Sequence, residues 1–163
     1  MIYIQLIGFL AFCILVLSFY KKDTVTILTY QITSNFCYAV HYFLLGGITG
    51  SFINLTSIIR NITFIKSNNT KLILPIFIFI YLIIGILFYE NIYSLIPIIA
   101  NSIYMIFMSF KTKKHLLIGE IIGASLWFTY SIFVLSYSGM ITEAILIIST
   151  TIQLLKLNKK TNI

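Results

Sequence analysis

The chain has 163 residues, 60% of them apolar and 9% charged, with a mean hydropathy of +1.03 and a formal charge of +7. So little polar surface cannot cover a water-soluble globule, which excludes a soluble enzyme or binding domain and points to an integral membrane protein. In a soluble chain the basic excess would suggest nucleic acid. Here orientation in the membrane and anionic inner-leaflet lipids account for the lysines, so the bilayer is the expected partner and nucleic acid is not.

Seven apolar stretches are expected to cross, each needing roughly 20 residues. They are residues 2–20, 25–45, 48–65, 72–89, 92–110, 116–135 and 140–157. The first has no basic region before it and no small-residue cleavage site after it, and reads as a retained span. The second sets Gln31, Ser34, Asn35, Tyr38, His41 and Tyr42 at steps of three and four, on one helical face. The third carries Gly50, Asn54, Ser57 and Asn61 in the same way, with Arg60 near its end, where a long side chain is expected to snorkel to the headgroups. The fourth is apolar all round and is expected to meet lipid on every side as a linker. The sixth aligns Glu120, Ala124, Trp127, Tyr130 and Ser131, and the seventh carries Glu143 about one turn from its outer end.

Lys21, Lys22, Lys66, Lys71, Lys111, Lys113, Lys114, Lys156, Lys159 and Lys160 all fall in alternate connections or the tail. The other connections, 46–49, 90–91 and 136–138, hold no Lys or Arg. Basic loops stay cytoplasmic, so the amino terminus is expected outside and the carboxyl terminus inside.

An internal repeat underlies this order. Residues 49–60 lie over 138–149 at an offset of 89, matching Gly50 to Gly139 and Asn54 to Glu143. Upstream, Tyr42 lies over Tyr130 at 88, and Ser18-Phe19 over Ser109-Phe110 at 91, which places changes of offset at the loops. The expected architecture is all-α, 3+1+3: a three-helix unit over 2–66, a linker helix over 72–89 and a second unit over 92–157, with a shared cavity between parallel units.

His41-Tyr42-Phe43-Leu44-Leu45-Gly46, Asn54, Ile59-Arg60 and the Glu143 region give the chain a resemblance to the YgjV family of small bacterial inner-membrane proteins. It is more distantly similar to the SWEET, SemiSWEET and PQ-loop transporters. The second resemblance implies a central pocket with an asparagine from the third helix of each unit and aromatics from the second. Asn54 takes the first asparagine position and Glu143 replaces the other, while Leu126-Trp127 and Tyr130 resemble the aromatic segment. Ala39 then faces Trp127 in the match, so the other aromatic wall is missing or comes from Tyr38 or Tyr42. The chain departs from that group in lacking a Pro-Gln pair at the end of the first helix, leaving Pro97 as the expected hinge.

The residues expected to line a pathway are Asn54, Glu143, Trp127, Tyr130, His41, Tyr42 and Glu120. An acid within a span costs roughly 2.5–3.5 kcal/mol at mid-helix. Glu143 is therefore either a proton, cation or ligand site or a solvated helix-end acid, and Glu120 an inner counterpart or the partner of a lysine. His41 is a candidate proton relay or a histidine bonded between helices. Trp127 and the tyrosines stack on planar ligands or pack. Gln31, Ser34, Ser57 and Asn61 read as hydrogen-bonding glue between helices.

No paired-acid motif, nucleophile elbow, metal spacing or phosphate-cradling loop is present, so neither enzyme activity nor a cofactor is expected. Cys13 and Cys37 fall in apolar spans and read as small buried side chains. His41 and His115 lie near opposite faces, too far apart for one metal. Two functions follow from the pattern. One is a facilitator or proton-coupled carrier for a small polar, neutral metabolite. The other is a membrane interaction or assembly protein whose polar interior is packed. Self-association suits a bundle of this size, with no interface legible in the residues.

Overall fold

The computed structural model describes residues 2–19, 21, 24–66, 70–110 and 112–161. Tyr20, Lys22 and Lys111 lie outside these residues, as do the side chains of Lys71, Lys113 and Lys160. The described residues form seven α-helices and no strand: α1 (Ile2–Phe19), α2 (Thr24–Leu44), α3 (Ile48–Lys66), α4 (Thr70–Leu87), α5 (Leu95–Ser109), α6 (Lys113–Phe133) and α7 (Tyr137–Thr161). Helices α6 and α7 carry stretches long and apolar enough to cross a bilayer, Lys114–Phe133 and Tyr137–Lys159, while α1, α4 and α5 carry shorter apolar ones.

Local chemistry sets the ends. Thr112 caps α6 by accepting from the His115 amide at 3.3 Å, so the helix starts before the apolar run does. A 3-10 turn over Ile92–Ser94, closed by reciprocal bonds between Asn91 and Ser94, takes the first residues expected for the fifth helix. Helices α2 and α6 both stop in a Schellman motif. The Gly47 amide donates to the Tyr42 carbonyl at 2.8 Å and the Ser136 amide to the Ser131 carbonyl at 2.9 Å. Gly46 supplies the left-handed residue of the first turn at φ 81°, and Leu135 does so in the second at φ 55°. A leucine there is strained, and the Gln5 side chain holds its carbonyl at 2.8 Å.

These two turns are 89 residues apart, and the correspondence extends beyond them. Leu45 N to His41 O matches Val134 N to Tyr130 O, Ser51 N to Gly47 O matches Met140 N to Ser136 O, and Lys21 N to Ser18 O matches Phe110 N to Phe107 O. A single offset of 89 thus replaces the expected shifts to 88 and 91. His41 corresponds to Tyr130, and Tyr38, not Ala39, corresponds to Trp127.

Helix α2 packs on α1 and α3, α6 packs on α5 and α7, and α1 meets α7 as α3 meets α5. Helix α4 bridges α3 and α5. It does not meet lipid all round, because Ile73, Phe77, Tyr81 and Ile84 form a buried stripe against Ile53, Ile98 and Met105. Ile76, Phe79, Leu82 and Ile86 remain exposed on its other side. The proline that removes a bond within a helix is Pro75 in α4. Pro97 sits in the first turn of α5, where the missing amide has little to lose, so it is not the expected hinge. Cys13 is exposed and Cys37 half-buried, contrary to the expected buried pair; Cys37 packs at the edge of the cluster of Ala11, Tyr38, Tyr42 and Tyr130.

Lys21, Lys66, Lys114, Lys156 and Lys159 are exposed at the helix ends opposite the 46–47 and 135–136 turns. One end of the bundle is therefore the turn side and the other the lysine side. Close approach on the turn side depends on Gly8, whose added Cβ would run into the Ser138 hydroxyl and the His41 ring. Gly8→Ala is expected to destabilise the purified protein by about 1–3 kcal/mol in thermal unfolding. Gly123→Ala, whose Cβ would meet only ordinary contacts at 3.7 Å and 3.8 Å, leaves the transition unchanged or raises it.

Candidate functional site

Six of the seven helices line a cavity of about 170 Å³, α1 with Leu15 and the other five with polar side chains among their lining residues. No lining residue comes from α4. The cavity has two layers. Tyr38, Tyr42, Asn54, Trp127 and Glu143 form the turn-side layer. Tyr38, Asn54, Trp127 and Glu143 each lie six residues in from the turn-side end of their helix, about 9 Å of rise. Gln31, Arg60, Tyr104 and Glu120 form the lysine-side layer, with Asn35, Ser57 and Asn101 between.

Opposite walls correspond at the same offset of 89. Leu15 is matched with Tyr104, Gln31 with Glu120, Tyr38 with Trp127 and Asn54 with Glu143, and all eight line the cavity. Both acids of this lining thus stand where the first half has an amide, Glu120 opposite a side chain of the same length and Glu143 opposite one a methylene shorter.

A family model of bacterial inner membrane proteins, Imp-YgjV, matches residues 2–161. The chain belongs to this family. No curated protein and no solved structure matches it. As an Imp-YgjV protein it resides in the bacterial inner membrane, which gives the exposed leucines, isoleucines and phenylalanines of its outer faces their solvent.

Of the seven residues singled out in the sequence, Asn54, Glu143, Trp127, Tyr42 and Glu120 line the cavity. His41 and Tyr130, themselves a corresponding pair, do not; they seal its turn side instead. The His41 ring bonds the Ile4 carbonyl at 2.8 Å and the Ser136 hydroxyl at 2.7 Å, tying α1 to the α6–α7 turn. The Tyr130 hydroxyl accepts from the Gly50 amide at 3.2 Å, tying α6 to the start of α3. Its ring packs on Tyr42 and Trp127, with centroids 5.6 Å and 5.7 Å away.

Glu143 lies deeper than expected because α7 begins at Tyr137 rather than Met140. Among the described residues no hydrogen bond reaches its carboxyl group, and the charged group that acts on it is Glu120. Glu120 has closer company. The Tyr104 hydroxyl points to it and Arg60 supplies an opposing charge. Arg60 does not snorkel to the headgroups: its guanidinium lies 5.9 Å from the Tyr104 ring centre. It donates to Asn61 Oδ1 at 3.2 Å and to the Tyr81 hydroxyl at 3.4 Å. Six residues from the end of its helix, it finds acceptors inside the bundle that replace headgroup phosphates.

Sequence reasoning missed Asn101 and Tyr104, since beyond Tyr93 at its start the fifth stretch shows only these two polar side chains of any length amid apolar neighbours. Their i, i+3 spacing on one face was the available signal. Gln31 and Ser57, read as glue, also reach the cavity, and Gln31 Oε1 accepts from Asn61 Nδ2 at 3.4 Å.

Arg60→Met is expected to lower stability by leaving Glu120 without its opposing charge. Adding Glu120→Gln should recover part of the loss, giving a coupling of about 0.5–3 kcal/mol in a double-mutant cycle of thermal unfolding. Strictly additive losses would separate the two side chains.

Proposed function

We propose that this Imp-YgjV protein carries a small polar metabolite across the inner membrane through the cavity between its two halves. The observation that carries this reading is the matched lining: both halves contribute polar and aromatic groups to one cavity at corresponding positions. A packed interior needs only that each polar group be bonded. A pathway needs unspent groups facing free space, and Glu143 is one.

In this reading all seven helices cross the membrane as two parallel three-helix units, 2–66 and 92–157, with α4 as the linker that returns the chain. The distribution of lysines supports an external amino terminus and a cytoplasmic carboxyl terminus. The similarity to the SWEET and PQ-loop group is in keeping with both. The present state is closed on its turn side by the bonds of His41, Tyr130 and Gln5. Alternating access then consists of breaking these seals, which join one unit to the other, while bonds form near Arg60 and Glu120 on the lysine side. Motion lies between units, so it does not depend on Pro97.

Reconstituted into liposomes, the protein is expected to support counterflow of its substrate, and Asn54→Ala with Glu143→Gln should lower the flux at least about tenfold, the scale of one charge-assisted hydrogen bond. Flux that persists in a folded double variant would remove the cavity from the pathway. Loss of a co-purifying membrane partner without any flux in the wild type would favour an assembly role.

A further inference from the structure

Resting on the carrier reading above, we propose that the turn-side layer binds a small organic cation, its ammonium or quaternary ammonium group held by the Glu143 carboxylate and the ring faces of Tyr38, Tyr42 and Trp127. The ligand is then positively charged rather than neutral.

Glu143 and the aromatic rings beside it decide the sign. The Tyr38 hydroxyl is tied to Thr142 Oγ1 at 2.5 Å and the Tyr42 hydroxyl to Ser131 Oγ at 3.0 Å. These tyrosines therefore offer a ligand their rings and not their hydroxyls. The Tyr42 ring centre lies 6.0 Å from that of Tyr38 and 5.6 Å from that of Trp127, with interplanar angles of 27° and 37°. The three make one continuous aromatic wall, and aromatic faces attract cations.

The amides are partly spent. Asn54 Nδ2 donates to the Gly50 carbonyl and Asn101 Nδ2 to the Pro97 carbonyl, each at 2.9 Å. Each amide keeps its Oδ1, an acceptor, and one N–H. Glu143 adds an acceptor that no protein donor reaches among the described residues. The lining cation, Arg60, sits in the other layer with its donors given to Asn61 and Tyr81. This layer sets a carboxyl group that no protein donor reaches among the described residues beside three aromatic rings, and a carboxylate with π faces recognises positive charge. Small inorganic cations require a shell of oxygen ligands, which an aromatic wall does not provide.

Trp127 is the one tryptophan of the chain and lies in this wall, so its emission reports on occupancy. The full chain in lipid nanodiscs is titrated with choline, with its neutral isostere 3,3-dimethylbutan-1-ol, and with sodium and potassium chloride. The expected result is a saturable change in Trp127 emission with choline alone. In Glu143→Gln choline should bind at least about tenfold more weakly, as loss of a charged partner entails. Glu143→Asp should retain part of the affinity. If Glu143→Gln does not fold, the choline and isostere titrations of the wild type decide by themselves.

Equal binding of the isostere, unchanged choline affinity in folded Glu143→Gln, or a response to sodium or potassium alone overturns the cation site. So does silence to choline in a protein that gives counterflow of a neutral metabolite, and in that case the carrier reading stands. Silence to every compound together with no flux overturns both.

Discussion

A polar group that faces hydrocarbon has no water to bond, so each amide, hydroxyl and carboxyl of these helices has to find a partner inside the bundle or a wet space within it. That constraint organises the molecule. Ser34 reaches the Ala11 carbonyl at 2.8 Å between helices. Thr29, Thr33, Thr63 and Thr129 turn back onto the carbonyl four residues earlier, which lets them sit on exposed faces without an outside partner. The larger groups, Gln31, Asn35, Asn54, Asn101, Glu120 and Glu143, converge on the central cavity, where Asn54 and Asn101 also bond the carbonyl four residues earlier. Among the described residues only the Ser102 hydroxyl is buried without a partner.

The same constraint makes the difference between the halves meaningful. Gln31 and Asn54 in the first half correspond to Glu120 and Glu143 in the second. Gln31 and Glu120 have nearly the same shape and Glu143 is one methylene longer than Asn54, so the positions of the repeat are kept while charge enters on one side. Arg60 and Tyr104 answer Glu120. Nothing comparable answers Glu143, and a charge left without a partner at this depth is expensive unless something else supplies one. The proposed cation would be that partner.

Stability and motion meet at the turn side. His41 and Tyr130 occupy corresponding positions, and each bonds across to the other half: His41 to Ser136, Tyr130 to the Gly50 amide. Individual bonds between membrane helices are weak, about 0.6 kcal/mol on average. A handful can hold one end shut and still be broken together by an event worth a few kcal/mol. In the proposed carrier, the switch would lie in these contacts between units rather than in a bend within a helix.

The residues alone were enough for the membrane class, because composition and the period of the polar stripes report how much of each helix meets hydrocarbon. They were enough for the family, and for Asn54, Glu143, Trp127, Tyr42 and Glu120 as residues facing one another, since spacing along a helix fixes a face. They could not decide depth, partners or register between distant helices. Matching single letters placed Tyr42 over Tyr130, whereas the turn hydrogen bonds set His41 there and gave Tyr38 to Trp127. Sequence left Arg60 free to snorkel; packing of α3 against α4 and α5 brought Tyr81 and Tyr104 within its reach. His41 looked the same as a relay and as a seal until the Ile4 carbonyl and Ser136 were beside it. A face is a property of one helix, but which atoms a side chain reaches depends on how several helices stand together, and only the tertiary structure sets that.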